Sequence, residues 1–180
     1  MIIGLTGRNG AGKGTVADWF QQRGFAFTSL SDVIRADLRD RGLAITRDHL
    51  IVAGRRLRHN GGPGVLAERI LELIPADADF VVDSIRNPAE VDVLRTRTGF
   101  VLLEVAAEER TRYQRMIARA RSGDATSFEE FQRQEHAELQ SADSAAQQLV
   151  ATAAMADHVV PNDGPVAELH AWLSQRFGDR

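Results

Sequence analysis

Short apolar runs alternate along the chain with longer segments in which apolar residues recur every three or four positions. The runs predict buried parallel strands at 2–6, 25–30, 80–83, 100–105 and 157–160. The amphipathic segments predict helices at 13–23, 31–41, 47–59, 65–74, 88–98, 108–121, 144–154 and 166–177, with another that starts at 127. Strands that alternate with helices indicate an α/β fold, in which a five-stranded parallel sheet carries helices on both faces.

Capping residues mark several of the predicted helix boundaries. Ser31 or Asp32 can cap the second helix, which stops at Gly42, and Thr46 can cap the third. The glycine-rich segment 60–64 then breaks the third helix. The chain of 180 residues shows no internal repeat and no low-complexity linker, so we predict one domain with a helical insertion at about 108–154.

Composition argues against several classes of function. The net charge of −3 and the pI of about 6.0 do not suit a broad basic surface, so we do not expect nucleic acid as a partner. The chain has no cysteine, and its five histidines lack the spacing of a metal site. No run approaches the ~20 apolar residues of a membrane span, and the first residues lead straight into a strand. We therefore expect a cytoplasmic protein that does not contact membranes.

The single lysine of the chain, Lys13, ends a glycine-rich loop. Segment 7–13 matches G-x-x-x-x-G-K, with a predicted strand before it and a predicted helix after it. Glycines let the backbone approach phosphate groups, and the N–H groups of the loop and of the helix start hold these anions. A compact ammonium group reaches between the β- and γ-phosphates of a nucleotide, where a planar guanidinium is too bulky. The residues that we predict to bind ATP in this loop are Arg8, Asn9, Gly10, Ala11, Gly12, Lys13, Gly14 and Thr15.

The residues after the third strand help to distinguish among phosphate-loop proteins. Small GTPases read guanine with an N-K-x-D motif, which requires a second lysine that this chain lacks. Hydrolytic ATPases commonly place a glutamate after the aspartate that ends the strand, whereas Ser84 follows Asp83 here and Arg86 lies close by. An arginine in this place suits the binding of a phosphate. Both differences favour phosphoryl transfer to a bound acceptor over a switch or a motor.

Three motifs resemble those of adenylate kinase and other nucleoside monophosphate kinases. Segment 10–15, GAGKGT, is similar to their phosphate loop, and segment 29–35, SLSDVIR, is similar to their S-T-G-D-x-x-R motif. Segment 83–86, DSIR, resembles their D-G-F-P-R motif without its glycine, phenylalanine and proline. The whole chain resembles a group of adenylate-kinase-related P-loop kinases. The resemblance implies acceptor-binding helices within about 31–75 and a lid formed by the insertion at about 108–154.

The same resemblance implies roles for individual residues on the acceptor and metal sides. Arg35 and Arg86 would hold the phosphate of the acceptor, and Asp32 would cap the helix beneath it. Asp83 would lie near a Mg²⁺ ion that accompanies ATP, and Thr15 would be the second protein group at this ion. Arg58 faces the glycine-rich break of the acceptor region in the sequence, which makes it a further candidate for contact with the acceptor.

On the nucleotide side, Arg115 and Arg119 match the lid arginines of these kinases, spaced four residues apart. They would close over ATP and exclude water. The turn that contains Asn162 and Gly164 resembles the loop that packs on adenine, which makes both residues candidate ATP contacts. The residues that we predict to be catalytic are Lys13, Arg86, Arg115 and Arg119.

The sequence thus predicts a kinase that uses ATP and Mg²⁺ on a small phosphorylated acceptor, first of all a nucleoside or deoxynucleoside monophosphate. The opening MIIGLTG and the ending ADHVVPNDG also resemble dephospho-CoA kinase, although the chain lacks the GKST loop and the D-A-D step of that family. From another class, the alternative is a regulatory protein that binds ATP without transferring it. Such a regulator has no need for the pair formed by Arg35 and Arg86.

Overall fold

The computed structural model describes residues 1–119, 125, 127–139 and 147–178. Five strands, all paired in parallel, form a sheet in the order β2–β3–β1–β4–β5. The strands are β1 (Ile2–Thr6), β2 (Ala26–Ser29), β3 (Phe80–Asp83), β4 (Phe100–Ala106) and β5 (His158–Pro161). The helices are α1 (Lys13–Gln21), α2 (Leu30–Asp40), α3 (Arg47–Gly61), α4 (Val65–Leu73), α5 (Pro88–Arg95), α6 (Glu109–Arg119), α7 (Phe128–Leu139), α8 (Leu149–Ala153) and α9 (Val166–Phe177). This architecture confirms the predicted fold class.

Apolar side chains cover both faces of the sheet. On one face, Leu66 of α4 and Leu94 of α5 are completely buried against the strands. On the other face, Trp19 of α1 and Leu173 of α9 are equally well buried. Burial of each large side chain of this kind stabilises the fold by about 1.5–3 kcal/mol. The strands and the helices packed on them therefore form a firm frame for the loops at their ends.

The carboxyl ends of all the strands meet at one edge of the sheet, because the strands are parallel. β1 lies in the middle of the sheet. β2 and β3 lie on one side of it, and β4 and β5 lie on the other. Ligands of open α/β sheets bind in the crevice where the strand order reverses in this way. The loop after β1 lies there, and in register beside it Ser29 ends β2 opposite Asp83, which ends β3.

Several predicted helix boundaries were wrong by one to three residues: α1 ends at Gln21 instead of 23, α5 ends at Arg95 instead of 98, and α2 and α3 differ as well. α2 begins at Leu30, because Ser29 keeps the extended conformation of the strand and its hydroxyl accepts the N–H of Ser31 at 3.3 Å. Neither Ser31 nor Asp32 is therefore the cap. α3 continues to Gly61 and stops at Gly62, whose φ of 91° lies in the left-handed region. The cap predicted at Thr46 is confirmed, since its hydroxyl accepts the N–H of His49 at 3.2 Å.

Parts of the helical insertion fall outside the described residues. These include the predicted end of a helix at 121, the break at 122–124 and the start of the helix predicted at 144. Of the last of these, the portion from Leu149 to Ala153 forms α8. Among the helices in the described ranges, none is both long and apolar enough to cross a membrane.

Candidate active site

The loop between β1 and α1 is folded so tightly that side chains do not fit at its glycines. Gly10 has φ of 79°, and a Cβ there would lie 2.6 Å from the carbonyl oxygen of Arg112. Gly12 has φ of 100°, and a Cβ there would collide with Nδ2 of Asn162. By contrast, at Gly14 a Cβ would meet no described atom within 4 Å. The loop is thus crowded from below and open at the start of α1, where a phosphate chain would bind.

The side chain of Lys13 folds back over this loop. Its Nζ donates to the carbonyl oxygen of Gly7 at 2.7 Å and to that of Arg8 at 3.1 Å. Burial lowers the pKa of Lys13 from its ordinary value of 10.5 to about 8, and the attraction of Asp83 opposes this shift. The neighbouring cations that lower the pKa further are Arg86, Arg119 and Arg112. An ammonium group among other cations, with one carboxylate nearby, is a natural position for a bound polyanion.

Two lid arginines that were predicted from their spacing lie at the loop. Arg115 of α6 donates to the carbonyl oxygen of Ala11 at 3.4 Å, and Arg119 donates to Oδ1 of Asn9 at 3.1 Å. The structure therefore brings Arg8, Asn9 and the glycines of the loop together with the charged face of α6. The contact of these groups with ATP stays a prediction.

Sequence reasoning missed the buried ion pair of Arg112 and Glu135, which lies beneath this cluster. Nη2 of Arg112 donates to Oε2 of Glu135 at 2.9 Å, and its Nη1 contacts the other carboxylate oxygen. The same guanidinium reaches the carbonyl oxygens of Asn9 at 3.4 Å and of Ala107 at 3.0 Å. Nη1 of Arg8 lies 3.5 Å from the carboxylate of Glu135. Positions 112, 115 and 119 share one face of α6. This helical spacing was the sequence signal that could have placed Arg112 beside the two predicted arginines.

Asn162 supports the loop from the end of β5. Its Nδ2 donates to the carbonyl oxygen of Ala11 at 2.8 Å, and its own backbone N–H donates to Ala106 at 2.8 Å. The side chain is thus buried beneath the loop, and contact of its turn with adenine stays a prediction. Gly164, predicted with it, is exposed on the turn beside the carboxylate of Glu168.

The acceptor side of the crevice is formed by the ends of β2 and β3. Arg35 of α2 donates through Nη1 to Oδ1 of Asp32 and to Oγ of Ser31, both at 2.7 Å. Asp32 therefore pairs with Arg35 instead of capping α2. At the neighbouring strand end, Oδ1 of Asp83 is buried and has no hydrogen-bond partner among the described residues. A carboxylate oxygen left in this state suits a hard cation, and the half-buried Thr15 lies in the first turn of α1.

Arg86 follows on the turn between β3 and α5, and its backbone is held by Glu90. Oε2 of Glu90 accepts the N–H of Arg86 at 2.9 Å and that of Asn87 at 3.1 Å. The side chain of Arg86 is half-buried, and none of the described residues accepts a hydrogen bond from its guanidinium. Its effect on the pKa of Lys13 places this charge near the loop.

Arg58, predicted as an acceptor contact, has a different position. It is 4% exposed, and it donates through Nε and Nη2 to Oε1 of Glu90 at 2.9 and 2.7 Å. Burial raises the pKa of Glu90, whereas Arg58 and the two backbone N–H groups lower it. The prediction that Arg58 contacts the acceptor is therefore wrong. Its guanidinium is buried against Glu90, the same carboxylate that binds the backbone N–H of Arg86.

The loop, the parallel sheet and the helix that follows β1 define the class of fold as that of the P-loop kinases. A shikimate kinase from Bacteroides thetaiotaomicron has the same fold, with a TM-score of 0.64 at 13% identity over 97% of both chains. A shikimate kinase from Aquifex aeolicus matches with a TM-score of 0.59 at 13% identity, over 99% of this chain and 97% of that one.

Sequence comparison identifies the family. The chain belongs to the UPF0200 family: it is 33% identical over 178 residues to a UPF0200 protein of Methanothermobacter thermautotrophicus, covering 97% of this chain and 88% of that protein. A UPF0200 protein of Pyrobaculum aerophilum is 38% identical over 131 residues, 72% of each chain. No family model matches the chain. The prediction of a P-loop kinase fold is confirmed, but the resemblance to adenylate kinase in particular is not.

Proposed function

We propose that this protein is an ATP-dependent phosphotransferase. The observation that carries the proposal is the convergence of three cations on one glycine loop, where Lys13 and Arg115 bind backbone carbonyl oxygens and Arg119 binds the side chain of Asn9. These cations repel one another, and burial lowers the pKa of Lys13. A triphosphate supplies the negative charge that this arrangement lacks. The kinases among the structural neighbours share the fold alone, and their chemistry agrees with this proposal.

ATP would be used with Mg²⁺, which is general for kinases with this loop. The fit rests on Asp83, whose Oδ1 is buried without a partner among the described residues at the edge that also holds the loop. Asp83 and Thr15 offer oxygen atoms, the ligands that Mg²⁺ prefers. When bound, the ion would neutralise charge on the β- and γ-phosphates.

The acceptor in this proposal is a small phosphorylated molecule, first of all a nucleoside or deoxynucleoside monophosphate as in the adenylate kinase family. An oxygen of its phosphate forms a bond to the γ-phosphorus of ATP while the bond to the β–γ bridging oxygen breaks, and ADP leaves. Arg35 and Arg86 would hold the acceptor phosphate in line. Lys13 would bind the β- and γ-phosphates, and Arg115 and Arg119 would cover them and exclude water.

The state of the carboxylates favours an acceptor phosphate over an acceptor hydroxyl. A hydroxyl must lose a proton during transfer and is commonly served by a carboxylate base, whereas a phosphate is already ionised. Asp32 is paired with Arg35, and Glu90 is paired with Arg58. Asp83, at the end of β3, is the third carboxylate on the acceptor side of the crevice, and it would bind the metal ion instead of serving as a base. This argues against dephospho-CoA, whose kinase would phosphorylate a hydroxyl.

The test is ADP release from Mg·ATP with a panel of ribonucleoside and deoxyribonucleoside monophosphates, dephospho-CoA and shikimate. We expect a monophosphate to stimulate ADP release and Lys13→Ala to abolish the stimulation. Arg176→Ala is the matched control for loss of a cation, because Arg176 lies over Trp172 on α9. Stimulation by dephospho-CoA alone would favour the second candidate. ATP binding without stimulation by any acceptor would favour a regulatory protein.

A further inference from the structure

Three serine hydroxyls join Arg35 to Asp83 across the ends of β2 and β3. Arg35 donates to Oγ of Ser31 at 2.7 Å, and Oγ of Ser31 lies 2.8 Å from Oγ of Ser29. The hydroxyl of Ser29 donates to Oγ of Ser84 at 3.0 Å. The hydroxyl of Ser84 donates to Oδ2 of Asp83 at 3.4 Å. We call this set of three residues the serine chain.

The serine chain has one internally consistent direction. Arg35 can only donate and an ionised Asp83 can only accept, so each hydroxyl between them accepts on the arginine side and donates on the aspartate side. The contact between Ser31 and Ser29, which allows either direction, is then fixed with Ser31 as the donor. Hydrogen bonds aligned in this way polarise one another, so a change of charge at one end is felt at the other.

Ser84 occupies its place in this chain against a backbone preference. Its φ of 66° makes it the one residue other than glycine with positive φ in the described ranges. A residue with a Cβ is strained in this region, and glycine adopts it freely. An observed outlier of this kind is grounds for a hypothesis of function. The hydroxyl supplied by Ser84 is the link that would be lost with glycine.

We propose that Ser29, Ser31 and Ser84 are positioning residues that couple binding of the acceptor phosphate at Arg35 to binding of Mg·ATP at Asp83. This inference rests on the proposed function. An acceptor phosphate that draws the guanidinium of Arg35 towards itself weakens its donation to Ser31, and the whole serine chain readjusts as far as the carboxylate of Asp83. Each ligand therefore finds a site already adjusted by the other, and the coupling is reciprocal.

The decisive variant is Ser84→Gly, because it relieves the backbone strain at this position and also removes the hydroxyl that links Ser29 to Asp83. Stability and coupling are therefore measured separately. Glycine removes the strain at positive φ, which offsets the loss of the hydrogen bonds of the Ser84 hydroxyl, so we expect the melting temperature to change by less than about 4 °C. The serine chain is broken at the same time, so the coupling falls. A residue with only a structural role would lose coupling only together with stability. Ser29→Ala breaks the chain at its centre and serves as the second variant, and Ser174→Ala on the exposed face of α9 is the control.

Coupling is measured by calorimetric titration with each ribonucleoside and deoxyribonucleoside monophosphate, alone and with saturating Mg²⁺ and β,γ-imido ATP. We expect the preferred monophosphate to bind wild-type protein about 5–20-fold more tightly when the analogue is present. In Ser84→Gly and Ser29→Ala this factor falls below about 2, while the affinity for each ligand alone changes by less than about 2-fold.

The outcomes separate the inference from the function on which it rests. If Ser84→Gly keeps the wild-type coupling factor, or if wild-type protein shows no coupling, the role of the serine chain is overturned while kinase activity stands. If no monophosphate binds and none stimulates ADP release, the proposed function fails and the inference fails with it. If Ser174→Ala loses coupling as strongly as Ser84→Gly, the effect does not belong to the serine chain.

Discussion

The buried ion pair between Arg58 and Glu90 offers a quantitative test of the site's framework. Both side chains are almost completely buried, and Glu90 also accepts the N–H groups of Arg86 and Asn87. Replacing Arg58 by methionine leaves the carboxylate without its counter-charge, which costs about 3–5 kcal/mol. For a chain of this size each kcal/mol lowers the melting temperature by about 2–4 °C, so we expect a fall of about 6–20 °C.

The loss in Arg58→Met depends on pH in a definite direction. Burial already raises the pKa of Glu90 while Arg58 opposes the rise, so removing Arg58 raises it further. A group whose pKa is raised in the folded state contributes most at low pH, and its contribution is lost as the pH rises through the folded value. Arg58→Met is therefore least destabilised near about pH 5 and most destabilised near about pH 8.

Urea unfolding of wild type, Arg58→Met, Glu90→Gln and the double variant at both pH values measures these terms. Glu90→Gln leaves the guanidinium buried without a counter-charge, whereas the double variant removes both charges. We expect the double variant to lose less unfolding free energy than the two single variants lose together, by at least about 2 kcal/mol, because the two residues are in direct contact. Additive losses, or a loss in Arg58→Met that does not change with pH, would refute the reasoning.

Three further predictions concern ligand binding. A bound triphosphate stabilises the protonated form of Lys13, whose pKa in the free protein is about 8, so ATP binding takes up a proton above that pH and little below about pH 7. Calorimetry in two buffers with different ionisation enthalpies detects the uptake, and Lys13→Met, whose side chain cannot take up a proton, should not show it per mole of ATP that binds. Asn162→Ala removes the bond to Ala11 and should weaken ATP roughly 5-fold, with acceptor affinity unchanged in the same titrations. Arg86→Ala should impair acceptor KM and kcat far more than ATP affinity, and equal effects on both ligands in steady-state kinetics would contradict its assigned place.

The sequence predicted the order of strands and helices along the chain and the glycine loop between β1 and α1, because hydrophobic periodicity and glycine spacing are local signals. It did not predict the cap at Ser29, since the same hydroxyl ends a strand and starts a helix. The positions of Arg58 and Arg112 could not be predicted either. Each is engaged by a glutamate, 32 residues away for Arg58 and 23 for Arg112, and only the folded structure brings those partners together.

Charged side chains in an amphipathic pattern look alike whether they face solvent or a buried partner. Arg115 and Arg119 could be singled out because a family motif supplied long-range information, and the structure places both at the loop, while their contact with ATP stays a prediction. No motif was available for the serine chain, in which Ser29 contacts Ser84, a residue 55 positions further along the sequence.

The pairing of Arg112 with Glu135 has a consequence for the exchange of any nucleotide that binds at the loop. If α7 swings away, it takes the only carboxylate that Arg112 contacts within the described residues and leaves a buried guanidinium uncompensated. A polyphosphate beside the loop can replace that missing negative charge. A bound polyphosphate should therefore make it less costly for α7 to separate from α6, so in the proposed kinase nucleotide binding would itself ease the release of ADP.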